Sequence, residues 1–450
     1  MKIVIDQNLI QTINRRGNPE FIKSDIKLTI GMLVSNHIQY FRKGLESIKP
    51  LLDAVPSELI IVDTVGPENS DGSLDLAKKY TDKIYHYDWN DNFSEARNVA
   101  MDHAKGEWFM YFDDDEYFDD VTEFIDFFKS GECDIYKFGM YYTGDYDTPT
   151  HYDKGVAGRM IRRTANTKFV GYVHENFNER FKPTKQFNAF THHFGYLYQT
   201  PEQQRAKMDR NMKLLERELK ENGPSAKVCT QIVAQLKGDT PEEANKKCTE
   251  YIHALEGTGE LENSCGQWLL VASVLLVENW GFIDGVLAIE KNLLEKYKLQ
   301  ETARLVLAHK VASVAYDAQA YDIAADRVKA YFKNLEWLNT HPEERAIQAQ
   351  LDTSSFMMGD KLYMITMIGA ISEFNLKHFE EAYAYIKKIN LDYCNDINET
   401  KKLIEITVLN LEDPKPAKEW YGRFFKEEFF KEPKQRKYLP ENVRNKLWQV

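Results

Sequence analysis

Cysteine is scarce: five in 450 residues (Cys133, Cys229, Cys248, Cys265 and Cys394), odd in number, far apart and in no CxxC pair. That pattern suits buried thiols in a reducing compartment better than a disulfide framework. Long apolar runs are missing too. No stretch of about 18 uninterrupted apolar residues occurs, so no membrane-spanning helix is expected. The N-terminal MKIVIDQNLIQTINRRGNPE has no apolar core of the kind that precedes a cleavage site. The expected location is the cytoplasm. Basic charge is in deficit, with 58 Lys and Arg against 70 Asp and Glu for a formal net charge of −12. This argues against general affinity for nucleic acid or anionic membrane, and an anionic ligand would need a local basic groove.

Hydrophobic residues at 43% and aromatics at 13% suffice for packed interiors, and 450 residues suit two or three domains. From Lys27 to Trp108 strand and helix patterns alternate: KLTIGMLVSN, amphipathic FRKGLESIKPLL, ELIIVDT, SLDLAKKY, KIYHYDW, FSEARNVAMDHAKG and EWFMYFDDDE. This β-α-β-α-β-α-β order predicts a mostly parallel, Rossmann-like sheet with ligands at the strand C-termini. CDIYKFGMYY and AGRMIRR follow as strands, with GDYDTPTHYDKG as a mobile connection. After Thr200 the pattern is helical. Segments 285–297, 322–335 and 378–389 share a small-residue-then-aromatic texture, and helix pairs of roughly 34 to 40 residues suggest a tetratricopeptide-like (TPR) array or a plain bundle. The expected layout is an N-terminal extension (1–26), an α/β domain (27–200) and an all-α domain (201–450).

WFMYFDDDEYF (108–118) ends a buried strand in four carboxyl groups, whose mutual repulsion is costly unless something positive is expected there. Hard oxygen ligands at Asp113, Asp114 and Asp115 suit Mg2+ or Mn2+, which can bridge carboxylate to diphosphate. An acidic, solvated turn is the bland alternative.

TIGMLVSN, LIIVDTVGPENSDGS, WNDNFSEARNVAM and GEWFMYFDDDE follow in the order and spacing found in family 2 glycosyltransferases, and this stretch, about residues 27 to 200, resembles their nucleotide-sugar domain of GT-A fold. The resemblance implies that Asp115 binds the metal while Asp113 and Asp114 hold the ribose or the metal shell. It also implies that Asp63 contacts uracil or ribose, that Arg97 lies near the nucleotide, and that Leu33, Ser35 and Asn36 meet the base. GYVHENF (171–177) resembles the family's acceptor-side segment, which makes Glu175 the general base with His174 beside it. HHFGY (192–196) resembles the segment that completes the metal site, with His193 as ligand rather than His192. Arg159, Arg162 and Arg163 either face the diphosphate or form a solvated basic face. Asn36-His37-Ile38 and the long loop VGPENSDGS depart from the family pattern.

The two-part layout resembles bacterial peptide glycosyltransferases of the sublancin type. It implies inverting transfer of glucose or N-acetylglucosamine from a UDP-sugar to a Cys or Ser/Thr of a peptide, such as a bacteriocin precursor, with the helical part capturing the acceptor and serving homodimerisation. A cell-wall polymer or other saccharide acceptor, or a noncatalytic scaffold with a vestigial sugar domain, are the alternatives. The aromatic tail EWYGRFFKEEFFKEPKQRKYLP (419–440) suits either helix capping or docking.

Overall fold

The computed structural model describes residues 19–198, 200–277, 283–348, 356–390, 397–413 and 415–424. The first eighteen residues of the expected N-terminal extension, Cys394 and the aromatic tail beyond Phe424 lie outside the described residues. The chain divides into two compact units between Gly223 and Pro224.

The first unit is built on an eight-stranded sheet in the order β3-β2-β1-β4-β7-β6-β10-β5. Its strands are β1 (Leu28–Val34), β2 (Ser57–Asp63), β3 (Ile84–His86), β4 (Trp108–Asp113), β5 (Glu116–Phe118), β6 (Phe138–Tyr146), β7 (Tyr152–Arg162) and β10 (Thr184–His193). A separate ribbon pairs β8 (Phe169–Val170) with β9 (Asn176–Phe177). The first four strands are parallel, as the alternating pattern predicts. Every residue of β1 is buried, which is what a strand covered on both faces requires of its apolar run. On one face Phe41, Leu45 and Ile48 of the helix Ile38–Ala54 join Leu28, Ile30 and Met32. On the other, Ala96, Ala100 and Met101 of the helix Phe93–His103 pack with Ile60, Val62 and Phe109.

Beyond Phe118 the sheet departs from the sequence expectation in two places. Cys133 to Ile135 belong to the short helix Glu132–Ile135 and not to a strand. GDYDTPTHYDKG, expected as a mobile connection, is largely paired: Gly144, Asp145 and Tyr146 of β6 lie opposite Lys154, Asp153 and Tyr152 of β7. Polar side chains on this hairpin hide the period of two that would have marked it as strand.

The helix Pro201–Asn222, read from sequence as the opening of the helical part, is capped by Thr200, ends at Gly223 (φ +82°) and lies in the first unit. In the second unit helices pack as consecutive pairs, among them Ala226–Asp239 with Pro241–Leu255, Glu301–Asp317 with Tyr321–Thr340, and Gly359–Asn375 with Phe379–Ile386. The described cysteines are free, and Cys133, Cys229 and Cys248 are buried. Among the described residues no helix is long and apolar enough to cross a membrane.

Candidate functional site

Strand register assembles the site. β5 pairs antiparallel with β10, and β10 pairs parallel with β6, so Glu116, His193 and Asp145 stand in one row across three strands. Asp115 sits immediately before that row, in the two-residue turn between β4 and β5. Ligand atoms of Asp115, Glu116 and His193 all lie within 4.8 Å of one another. His193 Nδ1 is 2.6 Å from Asp145 Oδ1, which fixes the ring and leaves Nε2 facing Asp115 Oδ1 at 3.7 Å. Burial alone would lower the His193 pKa, but the Asp145 bond and the charges of Asp115 and Glu116 push it up to about 9. Its carboxylate neighbours thus favour positive charge at this position, which a cation bound to the neutral ring would supply in place of the proton.

Two observations test whether this cradle suits a divalent ion. Asp115 Oδ1 is buried with no hydrogen-bond partner among the described residues. A Cβ on Gly195 would lie 2.6 Å from His193 Nε2 and 2.8 Å from Asp115 Oδ2, so the glycine of HHFGY keeps open the space that both donors face. Carboxylate oxygen and imidazole nitrogen suit Mn2+ or Mg2+, and the donor set therefore fits. Gly195→Ala is expected to weaken Mn2+ binding by about tenfold or more, read by calorimetry, with the thermal midpoint unchanged. Equal Mn2+ affinity in that variant would contradict the cradle.

The remaining acids have other partners. Asp113 accepts from Arg97 Nη1 and Nη2 at 2.8 and 3.0 Å and from Arg159 Nη1 at 3.4 Å. Burial alone would raise its pKa, yet these guanidinium groups hold it well below the usual carboxylate range. Arg159 also forks onto Glu116, with Nη2 at 2.7 Å from one oxygen and Nη1 at 3.0 Å from the other. Arg159 is the extra residue where the β6–β7 register shifts, a bulge of the kind that re-aims a side chain beside a site. Burial raises the Glu116 pKa to about 7 against the pull of Arg159 and His193.

Arg97 is 6% exposed, donates through Nε to Glu175 Oε1 and stacks 4.5 Å from the Tyr111 ring centroid. It therefore bridges Asp113 and Glu175. Asp114 accepts from the Ser35 backbone N–H at 2.6 Å and contacts His37 Nδ1 at 2.9 Å, which ties the end of β4 to the end of β1. That bond raises the His37 pKa to about 9 despite burial.

Asp63 accepts from the backbone N–H groups of Val65 and Gly66 at 3.0 and 3.1 Å and lies 3.0 Å from His86 Nδ1. Asn36, at φ +73°, donates to Asn69 O and accepts from Asp71 N–H, so it anchors the loop that made VGPENSDGS unusual. Leu33 is buried in the core. His174 is exposed at φ +52°, next to Glu175.

One sequence reading needs correction, one is matched by the geometry, and one residue of the row was missed. Arg162 and Arg163 bond Asp134 and the Gly106 carbonyl at the opposite end of β4, where Trp108 pairs with Arg162, because antiparallel β7 carries its C-terminus away from the cradle. His192 faces Asp119 and Tyr146 rather than the cradle, since alternate residues of β10 point to opposite faces. Asp145 was not singled out, although it lies in GDYD and would have been noticed had that segment been read as strand, and Glu116 was counted in the acidic cluster but given no role.

Residues 29–197 match the model of glycosyl transferase family 2. The SPbeta prophage-derived glycosyltransferase SunS of Bacillus subtilis (strain 168) is 29% identical over 188 residues, covering 39% of this chain and 41% of the relative. A TPR repeat-containing protein of Synechococcus elongatus is 33% identical over 90 residues, 20% of this chain and 21% of its own. Among solved structures, S. aureus TarS in complex with UDP-GlcNAc aligns with a TM-score of 0.30 at 13% identity, covering 70% of this chain and 92% of that chain.

Proposed function

We propose that the family 2 glycosyltransferase domain formed by residues 29–197 moves a hexose, glucose or N-acetylglucosamine, from a UDP-sugar to a Cys or Ser/Thr side chain of a peptide, with inversion. The observation that carries this reading is the orphaned Asp115 Oδ1 beside His193 Nε2 in a space held open by Gly195. From Glu116, beside that space, a chain of ion pairs runs through Arg159 and Asp113 to Arg97 and Glu175. Asp115 and His193 would hold a divalent ion, which when bound supplies electrostatic stabilisation to a departing diphosphate. Asn36, Ser35 and Asp63, at the ends of β1 and β2, shape the nucleotide side at the usual ligand edge of such sheets.

The protein's own groups account for the proton. The acceptor sulfur or oxygen bonds to the anomeric carbon, the bond from that carbon to the diphosphate oxygen breaks with its electron pair on UDP, and Glu175 takes the acceptor's proton. Arg97 fixes the Glu175 carboxylate through Oε1. The consecutive helix pairs of the second unit form a TPR-like array suited to gripping an extended peptide and to pairing with a second copy. Free buried thiols support a cytoplasmic setting.

Incubation with Mn2+ and a panel of UDP-sugars should release UDP, faster when an acceptor peptide is present; no release from any donor would sink the reading. Glu175→Gln should cost about a hundredfold or more on a serine peptide, where base catalysis matters most. It should cost much less on the cysteine version of that peptide, because a thiol of pKa about 8.5 ionises readily without help. Equal losses on both would remove Glu175 from the role of base.

A further inference from the structure

The helix Pro201–Asn222 begins just past the family match, yet it is fastened to three loops of the site. Glu218 accepts the backbone N–H of Tyr172 at 2.8 Å, three residues before the candidate base. Arg217 donates to the carbonyl of Asn90 at 3.1 Å, beside the turn that opens the Arg97 helix. Lys207 donates to the carbonyl of Gly195 at 2.8 Å and lies 4.0 Å from the Tyr196 ring centroid. The same helix thus touches the base loop, the Asn90 turn and the cradle's glycine.

Lys207 is the unusual member. Its ammonium is partly buried, and among the described residues no carboxylate lies within ion-pair distance. A carbonyl and an aromatic face hold it, while the charges of Asp115, Asp145 and Asp113 reach it from the cradle and burial pulls its pKa below the ordinary lysine value. Buried charges are costly unless paired, so a cation held rigidly without a counter-ion at the rim of a metal cradle is matched to an anion that arrives from outside. Gln204, one turn earlier on the same helix, lines an open cavity of about 540 Å³ together with Asp145, Asp147, Tyr198 and Tyr196, whose ring Lys207 faces, so open space adjoins this side of the helix.

We propose that Lys207 is a donor-binding residue whose ammonium pairs with the diphosphate of a nucleoside diphosphate, and that the helix Pro201–Asn222 is part of the donor site. This rests on the glycosyltransferase reading above. Lysine binds phosphate as a compact point charge with three donors, and a charge-assisted contact of this kind is strong.

The test compares the full-length wild type with Lys207→Met and Lys207→Arg by calorimetry, using UDP with Mn2+ and Mn2+ alone, with uridine followed by NMR. Lys207→Met should weaken UDP by about tenfold or more, leave uridine unchanged, and bind Mn2+ alone as well as the wild type or better, since a like charge has been removed beside Asp115. Lys207→Arg should keep UDP within about threefold, because it retains the charge. Unchanged UDP affinity in Lys207→Met overturns the proposal. So does a parallel loss of UDP and Mn2+ affinity, which would mean that Lys207 only supports the Gly195 loop. A wild type that binds no UDP with Mn2+ overturns the glycosyltransferase reading itself and this inference with it.

Discussion

Asp115→Ala should lower sugar transfer by at least about a hundredfold while leaving the thermal midpoint unchanged or higher. The two effects have opposite signs because of where the carboxylate sits. Its Oδ1 is buried without a hydrogen-bond partner, between Glu116 and His193, at the end of a strand that already carries Asp113 and Asp114. A carboxylate so placed adds repulsion to the folded state and gives back only its long contact with His193 and a more distant attraction to Lys207. Sites that destabilise the fold in this way are the ones retained for function. Turnover of a UDP-sugar with Mn2+, measured beside a thermal melt, checks both halves. Near-normal transfer by the variant in EDTA would show that the carboxylate holds no metal, and a lowered melt would show that it is structural.

Arg97→Met should have the reverse character, with a loss of stability of about 3–5 kcal/mol. Arg97 is buried between Asp113 and Glu175, and its removal leaves Glu175 without its guanidinium partner and Asp113 with only the longer contact to Arg159. Deleting one partner of a buried pair costs more than the pair contributes, because the remaining charge is desolvated with nothing to offset it. Urea unfolding of the first unit, followed by tryptophan fluorescence, gives the difference. A midpoint equal to that of the wild type would mean that water or rearrangement reaches the two acids. The sign with pH is also fixed. Arg97 and Arg159 hold Asp113 well below the usual carboxylate range, so its contribution is fully present above the ordinary aspartate pKa of about 3.9 and is lost as pH falls through the lower folded value. The wild type should therefore lose its advantage over Arg97→Met only in strong acid.

Much of the first unit was legible because its code is local. LTIGMLV, SELIIVD and WFMYFD are apolar-rich runs separated by helical periodicity, and the first four strands are parallel, as that alternation predicts. The helix read in FSEARNVAMDHAKG opens at Phe93, with Asn92 capping it by accepting Glu95 N–H at 3.1 Å. The β6–β7 hairpin was obscured because its outer residues are polar on both faces, and short apolar cues gave no period to follow. The extent of the helix Pro201–Asn222 was plain from its cap and terminating glycine, but its membership of the first unit was not, since the residues that fasten it, Lys207, Arg217 and Glu218, look like any solvated helical face.

The amino-acid order alone determined that carboxylates would crowd the end of the fourth strand and which family the N-terminal half resembles. It did so because strand ends, apolar runs and short motifs are properties of neighbouring residues. What each acid of DDDE does was decided only on folding. Asp113 went to Arg97 and Arg159, Asp114 to Ser35 and His37, and Asp115 was left facing His193. Those partners come from up to 79 positions away, brought in by the pairing of β1 with β4, by the helix that carries Arg97, by the register of β7 and β10 and by one bulge at Arg159. Coulomb energy depends on distance through space and on burial, and neither quantity is written in the spacing of residues along a chain.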